Sequence, residues 1–250
     1  MIIGSSFNLP TTSSSRMFIK TYGKPEDYSM KNVHNNKKKE ELIRAAFSSI
    51  DGVRRFYSPI PGTKGTFAKK QDFKLLDNFR NLFRGVNGDI CQIEEGEAYV
   101  VSAADCLVGF VTLSNDKTFA FHAGWQEILG VSSFLKQQID EAYLETSSRD
   151  VRACFGFAAA PKFLSLKDMK DANSDLVKEV LKKAEKLGAK QKGKSGDHVD
   201  LLLMLEMYLK NICELSFLPL FSNTALPEEF WSHRLDKGAG YNLVVIGRQR

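Results

Sequence analysis

The sequence predicts a single-domain protein of the α/β (α+β) class. Three observations predict it. Strand-like and helix-like segments follow one another along the chain with no internal repeat. The 250 residues are 43% apolar and 26% charged, which suits one sizeable globular core. The stretch from Ala98 to Phe121 is dense in β-formers and turn residues, and the stretch after it has helical spacing.

Residues 1–37 read as a loose N-terminal segment, with the folded domain spanning 38–250. Lys38–Ser48 is a short helix with Leu42, Ile43, Ala46 and Phe47 on one side. Arg55–Phe67 is strand and loop, broken by Pro59, Pro61, Gly62 and Gly65. Asp72–Arg84 has Phe73, Leu76, Phe79, Leu82 and Phe83 at helical spacing and runs into Gly85 and Gly88, which predicts a helix. Ala98–Val101 is a strand. Leu107–Leu113 and Lys117–His122 form a hairpin around Ser114-Asn115-Asp116. Gln126–Leu144 is a helix, Val151–Phe157 a strand and Asp171–Leu187 an amphipathic helix. A Lys- and Gly-rich loop runs to Gly196, and Asp197 or Asp200 caps a helix through Ile212. Ser216–Leu218, held to a sheet edge by Pro219, and Tyr241–Ile246 close the series as strands.

Composition excludes several classes. The longest strongly apolar stretch, Leu201–Leu209, is nine residues and contains Glu206. A membrane span needs about 20 residues. The net charge is +5, and much of the excess sits in Lys37–Lys39 and Lys182–Lys194. The second run holds Gly, Ala and Gln rather than Arg and aromatics, so it reads as a solvated helix end and not a nucleic-acid patch. Four cysteines without a C-x-x-C pair predict free thiols in a reducing compartment, the cytoplasm. The first 25 residues carry no Asp or Glu, which leaves an organelle transit peptide as the alternative location. Eighteen Phe against two Trp predict a Phe-rich core.

The sharpest chemical signal comes from the hairpin. Its register sets Cys106 across from His122 or a residue just after it, at the open end of both strands. A thiol beside an imidazole is either a nucleophile–base couple or a pair of metal ligands. The following helix aims its N-terminus at the pair, which favours a thiolate or a bound anion. Cys91, Cys154 and Cys213 have apolar neighbours and read as core.

Ala104-Asp105-Cys106 followed by His122-Ala123-Gly124-Trp125 resembles the paired ADC and HAGW motifs of the YfiH-like laccase-domain family, also called multicopper polyphenol oxidase-like. Phe230–Gly238 resembles that family's C-terminal FSxRRDG segment, with Tyr241–Ile246 its last strand. The resemblance covers about residues 52–247. It implies a mixed-sheet sandwich with flanking helices, like the catalytic domain of cytotoxic necrotizing factor. It further implies a zinc site, with copper second, and a pocket for purine nucleosides and phosphate. The activities implied are nucleoside phosphorolysis and adenosine deamination, with an older label of phenol oxidation. Cys106 and His122 match metal ligands and catalytic residues of the family. Trp125, Gln126, His233 and Arg234 fall at the pocket.

This chain departs from the pattern at the site. The family's first His lies in a QVHG motif, and the best match here, Gln92-Ile93-Glu94-Glu95-Gly96, puts Glu94 at the His place. Glu94 offers an oxygen ligand there, or the third ligand is missing. HAGW is followed by Gln126-Glu127 where the family has Arg-Gly, so an anion-binding arginine is absent. Three readings follow: a metal-assisted purine nucleoside phosphorylase or adenosine deaminase, a metal-free Cys/His hydrolase or deamidase, and a non-catalytic relative.

Overall fold

A computed structural model of the protein describes residues 2–8, 16–31, 33–62, 64–157, 174–193, 196–217, 228–233, 235–238 and 240–249. In chain order the elements are β1 (Ile2–Asn8), β2 (Arg16–Tyr22), α1 (Lys37–Ser48), β3 (Arg55–Ile60), β4 (Lys74–Leu75), β5 (Leu82–Asn87), β6 (Ile90–Ile93), β7 (Glu97–Ala103), β8 (Leu107–Leu113), β9 (Thr118–Ala123), α2 (Ile128–Thr146), β10 (Asp150–Phe157), α3 (Asp175–Lys186), β11 (Lys190–Gly193), β12 (Gly196–Val199), α4 (Leu201–Lys210), β13 (Glu214–Phe217) and β14 (Asn242–Gln249).

Two mixed sheets carry the fold. The first has the order β1-β2-β14-β7-β3-β5-β4, and the second β13-β10-β8-β9-β6. β11 and β12 pair as a separate ribbon. The burial pattern explains the stacking. Every residue of β8 is buried. Leu107, Val111 and Leu113 pack with α2, α3 and α4, while Val108 and Phe110 pack against Tyr99, Val101, Val244 and Ile246 of the first sheet. The other face of the first sheet, through Phe56, Val100 and Val245, covers Ile43 and Phe47 of α1. The result is four layers: α1, sheet, sheet, and the other three helices. Strands covered on both faces read as continuous apolar runs, as β7, β8 and β14 do. Phe18, Phe56, Phe110, Phe119, Phe121, Phe155 and Phe230 are fully buried, so the core is rich in Phe as expected.

Three segments differ from the sequence reading. Arg16–Tyr22, within the stretch expected to be loose, is a buried strand between β1 and β14. Residues 72–84 are not a helix but a short 3-10 turn, β4, and the start of β5. Their apolar residues serve two cores at once: Phe73 and Phe83 meet Tyr57 between the sheets, while Phe79 and Leu82 join Phe47 outside. A helix with one apolar face cannot reach both. The Lys-rich run leaves α3 at Lys186 and forms β11, with Lys190 paired to Asp197 and Glu185. Of the two expected caps for the last helix, Asp200 serves, accepting from Leu203 N for α4; α1 is capped by Asn36, which accepts from Lys39 N. The Pro219 and Leu218 positions lie outside the described residues. No helix among the described residues is long and apolar enough to cross a membrane.

Candidate active site

β8 and β9 pair with Leu107 opposite Ala123 and Val108 opposite His122. Continuing this register by one rung sets Cys106 diagonal to His122, on the same face. That face looks into the layer between the sheets, where Cys106 packs beside Tyr99 and Ala103. The site thus sits where the inter-sheet core opens at the end of the hairpin. Asp105, at φ 74, turns the chain sharply from β7 toward β8 and lifts Cys106 to the opening.

His122 is buried and lines one cavity with Cys106. Its Nδ1 faces Asp89 Oδ1 at 3.5 Å. Asp89 has no exposed surface. Its Oδ1 accepts from Gly62 N at 3.0 Å and its Oδ2 from Thr66 N at 3.2 Å, while its backbone carbonyl accepts from His122 N and from the Tyr99 hydroxyl. Asp89 therefore ties the loop after β3 to the imidazole. Burial disfavours the imidazolium, but the charge on Cys106, the contacts with Asp89 and Cys106, and the nearby Glu127 outweigh it. The His122 pKa is pushed up to about 10.

After β3 the chain packs on the first turn of α2 through Gly65. Gly65 has φ +63, and a Cβ there would run into Glu127 O and Val131 N. Only glycine permits that approach. Glu127 precedes α2, is 5% exposed, and turns its carboxylate toward Gly124.

A cavity of about 330 Å³ opens over the pair. Cys106, His122, Trp125 and His233 all line it, together with Pro61, Ser102, Leu201 and Tyr241. His233 reaches the rim on a turn held from below. Asp236 accepts from Ser232 N and takes an ion pair from Lys24, and Asn242 bridges Trp231 to Ala103. Gln126 is half-buried and is not among the cavity-lining residues. Arg234 lies outside the described residues.

Glu94 is not in this cavity. β6 runs antiparallel to β9 with Ile90 opposite Phe121 and Ile93 opposite Thr118, so Glu94 leaves the sheet at the far end of β9 from His122. Four residues of strand separate the two ends, about 14 Å. Glu94 is exposed there and pairs with Lys70 at 3.0 Å. The frame Gly85-Val86-Asn87-Gly88 carries the Val and Gly of the QVHG pattern, with Asn87 at the His place. It leads directly to Asp89, the acidic group that does meet His122.

These placements bear on zinc. A catalytic zinc site takes three protein ligands. Here Cys106 and His122 stand together, His122 Nδ1 is turned to Asp89, and the third expected ligand is elsewhere. Among the described residues no three His, Cys, Asp or Glu side chains converge as a metal site. The donor set does not fit the zinc expected from the motifs. The helix N-terminus does not offer a free anion site either, because the Glu127 carboxylate faces the backbone N–H groups of Gly124 and of Glu127 itself.

Sequence reasoning missed Asp89, Leu201 and Tyr241 as site residues, and named Glu127 only as a departure from the family pattern. Asp89 had a signal: an acidic residue just before the apolar run Ile90-Cys91. It becomes legible only once β6 is set against β9.

No family model and no curated protein matches the chain. Solved structures do. A DUF152-family protein of Neisseria meningitidis superposes with a TM-score of 0.66 at 14% identity, over 98% of each chain. YfiH of Bacillus licheniformis gives 0.67 at 16%, over 93% of this chain and 92% of that one. YlmD of Geobacillus stearothermophilus gives 0.66 at 17%, over 97% and 94%. The hairpin that joins Cys106 to His122, the two sheets around it and the closing strand belong to one architecture, and the chain has the YfiH/DUF152 fold.

Proposed function

We propose that this protein is a thiol-dependent hydrolase or deamidase that works without a metal, with Cys106 as nucleophile and His122 as its acid–base partner. One observation carries the reading: Cys106 and His122 lie diagonally on one face of the hairpin and line one cavity, and the His122 Nδ1 faces a buried carboxylate oxygen, Asp89 Oδ1, at 3.5 Å. Nucleophile, base and orienting acid in series is the logic of covalent catalysis. The Cys106 sulfur adds to an amide carbon, and His122 donates a proton to the departing nitrogen. A thioester remains. His122 then takes a proton from water, the hydroxide adds to the same carbon, and the thiol leaves with the acid product. Asp89 keeps the ring oriented throughout. A working thiol suits a reducing compartment such as the cytoplasm.

The purine nucleoside reading has its own support in the ADC and HAGW motifs and in Trp125 and Tyr241, aromatic walls on which a base can stack. It requires a third zinc ligand that Glu94 does not supply.

The test is alkylation followed by turnover. Burial holds the thiols of Cys91 and Cys213 up at about 12 and raises that of Cys154 as well. Iodoacetamide at neutral pH is expected to modify Cys106 about tenfold faster than the other three. Cys106→Ala is expected to abolish hydrolysis across a panel of small amides. Equal labelling of all four thiols overturns the nucleophile. Adenosine and inosine, with and without phosphate and zinc, run beside it with mass-spectrometric detection. Free base or deaminated product that depends on zinc and on Cys106 would favour the nucleoside reading instead.

A further inference from the structure

Glu127 is unused by the steps above, yet it stands at the reacting sulfur. A Cβ built on Gly124 would lie 2.5 Å from Glu127 Oε2 and 3.2 Å from Cys106 Sγ, so the carboxylate and the thiol share one small space that glycine leaves open. The carboxylate is buried, at 5% exposure for the residue. Asp89 lies behind the same imidazole with no exposure at all. Two buried carboxylates thus surround one imidazole and one thiol. Burial raises the Glu127 carboxyl, the His122 charge opposes that and the Asp89 charge adds to it, while Glu127 is the last of the groups that raise His122. Charges in a buried site are poorly screened, so they are felt by any reactant that reaches the sulfur. The carboxylate also faces the Gly124 and Glu127 amides, a place at a helix start where an incoming anion would otherwise bind.

We propose that Glu127 is the specificity-determining residue of this site, and that its carboxylate beside Cys106 rejects anionic electrophiles and admits neutral or cationic ones. This rests on the reading of Cys106 as a nucleophile. The substrate class that follows is an amide or ester with no negative group near the reacting carbon, and with an amine or other cation tolerated there.

Two alkylating reagents of similar size test it, neutral iodoacetamide and anionic iodoacetate. The readout is the ratio of their rates at Cys106, followed by peptide mass spectrometry on the intact folded protein. In Glu127→Gln the iodoacetate-to-iodoacetamide ratio is expected to rise about fivefold or more over wild type, as loss of a nearby like charge requires. An unchanged ratio overturns the proposal. If the variant does not fold, the wild-type ratio is compared with that of free glutathione. A ratio about tenfold below glutathione supports the proposal, and an equal one overturns it. Should Cys106 resist iodoacetamide as strongly as the buried cysteines do, the nucleophile reading falls and the proposal with it. Labelling by both reagents without charge discrimination removes only the role of Glu127.

Discussion

At the scale of single residues, His122 is governed by opposing forces. Burial disfavours its charge, while Cys106, Asp89 and Glu127 favour it, and the charged form wins with a pKa near 10. A folded value above the ordinary 6.5 means that protonated His122 stabilises the fold. That contribution is whole below about pH 6.5 and is lost as pH rises through about 10. Because the Cys106 charge is the first of the raising causes, Cys106→Ser is expected to pull the window downward. Urea midpoints measured from pH 6 to 10 should fall for wild type across this range and should flatten at lower pH in the variant. A midpoint independent of pH in wild type would show that His122 stays neutral. The Cys106–His122 pair was legible in the sequence because a two-strand hairpin fixes its own register locally. Asp89 was not, because its approach to His122 depends on β6 pairing with β9 from outside the hairpin. Glu94 was misplaced for the same reason: text that resembles QVHG says nothing about which end of a strand it occupies.

At the scale of elements, α4 shows how a cap serves a cavity. Asp200 accepts from Leu203 N at 3.0 Å, and the next residue, Leu201, is a wall of the site. Asp200→Ala is expected to lower stability by about 1 kcal/mol, read from urea unfolding. The same variant should loosen Leu201 and slow alkylation at Cys106 little, since the thiol is set by the turn between β7 and β8. The cap was readable from Asp200 standing before an apolar run. The segment 72–84 was not, because its aromatic spacing fits a helix while its partners lie on both sides of a sheet. Periodicity reports which residues want burial; it does not report that two separate cores share them. β11 was hidden similarly, since a short run of Lys and Gln reads alike as a strand or as a loop.

At the scale of the whole molecule, the layer between the sheets holds the structure together and also carries the site at its open end. Phe110 is at its centre with no exposed surface. Phe110→Ala is expected to cost about 3–5 kcal/mol in a single cooperative transition. Leu144→Ala, on the exposed flank of α2 at 83% exposure, should stay within about 0.5 kcal/mol and serves as its control. Calorimetry on both settles it; a small loss at Phe110 would mean that the inter-sheet layer repacks readily. The fold class was legible because doubly covered strands such as β8 read as unbroken apolar runs. The strand order was not, since nothing local tells β2 and β7 that they share β14 as a neighbour.

That shared neighbour has a consequence for how the protein is made. β14 lies between β2 and β7, antiparallel to both, so the first sheet has a gap at its middle until synthesis has passed Gln249. A nascent chain on the ribosome can close the β8–β9 hairpin and join Cys106 to His122 early. It cannot bring in His233 or seal the inter-sheet layer until its closing strand has cleared the exit tunnel. Until then the inner edges of β2 and β7 are unpaired and apolar, the kind of surface that chaperones hold. Any message that stops short of β14 would leave a chain with its thiol pair assembled and no closed cavity above it.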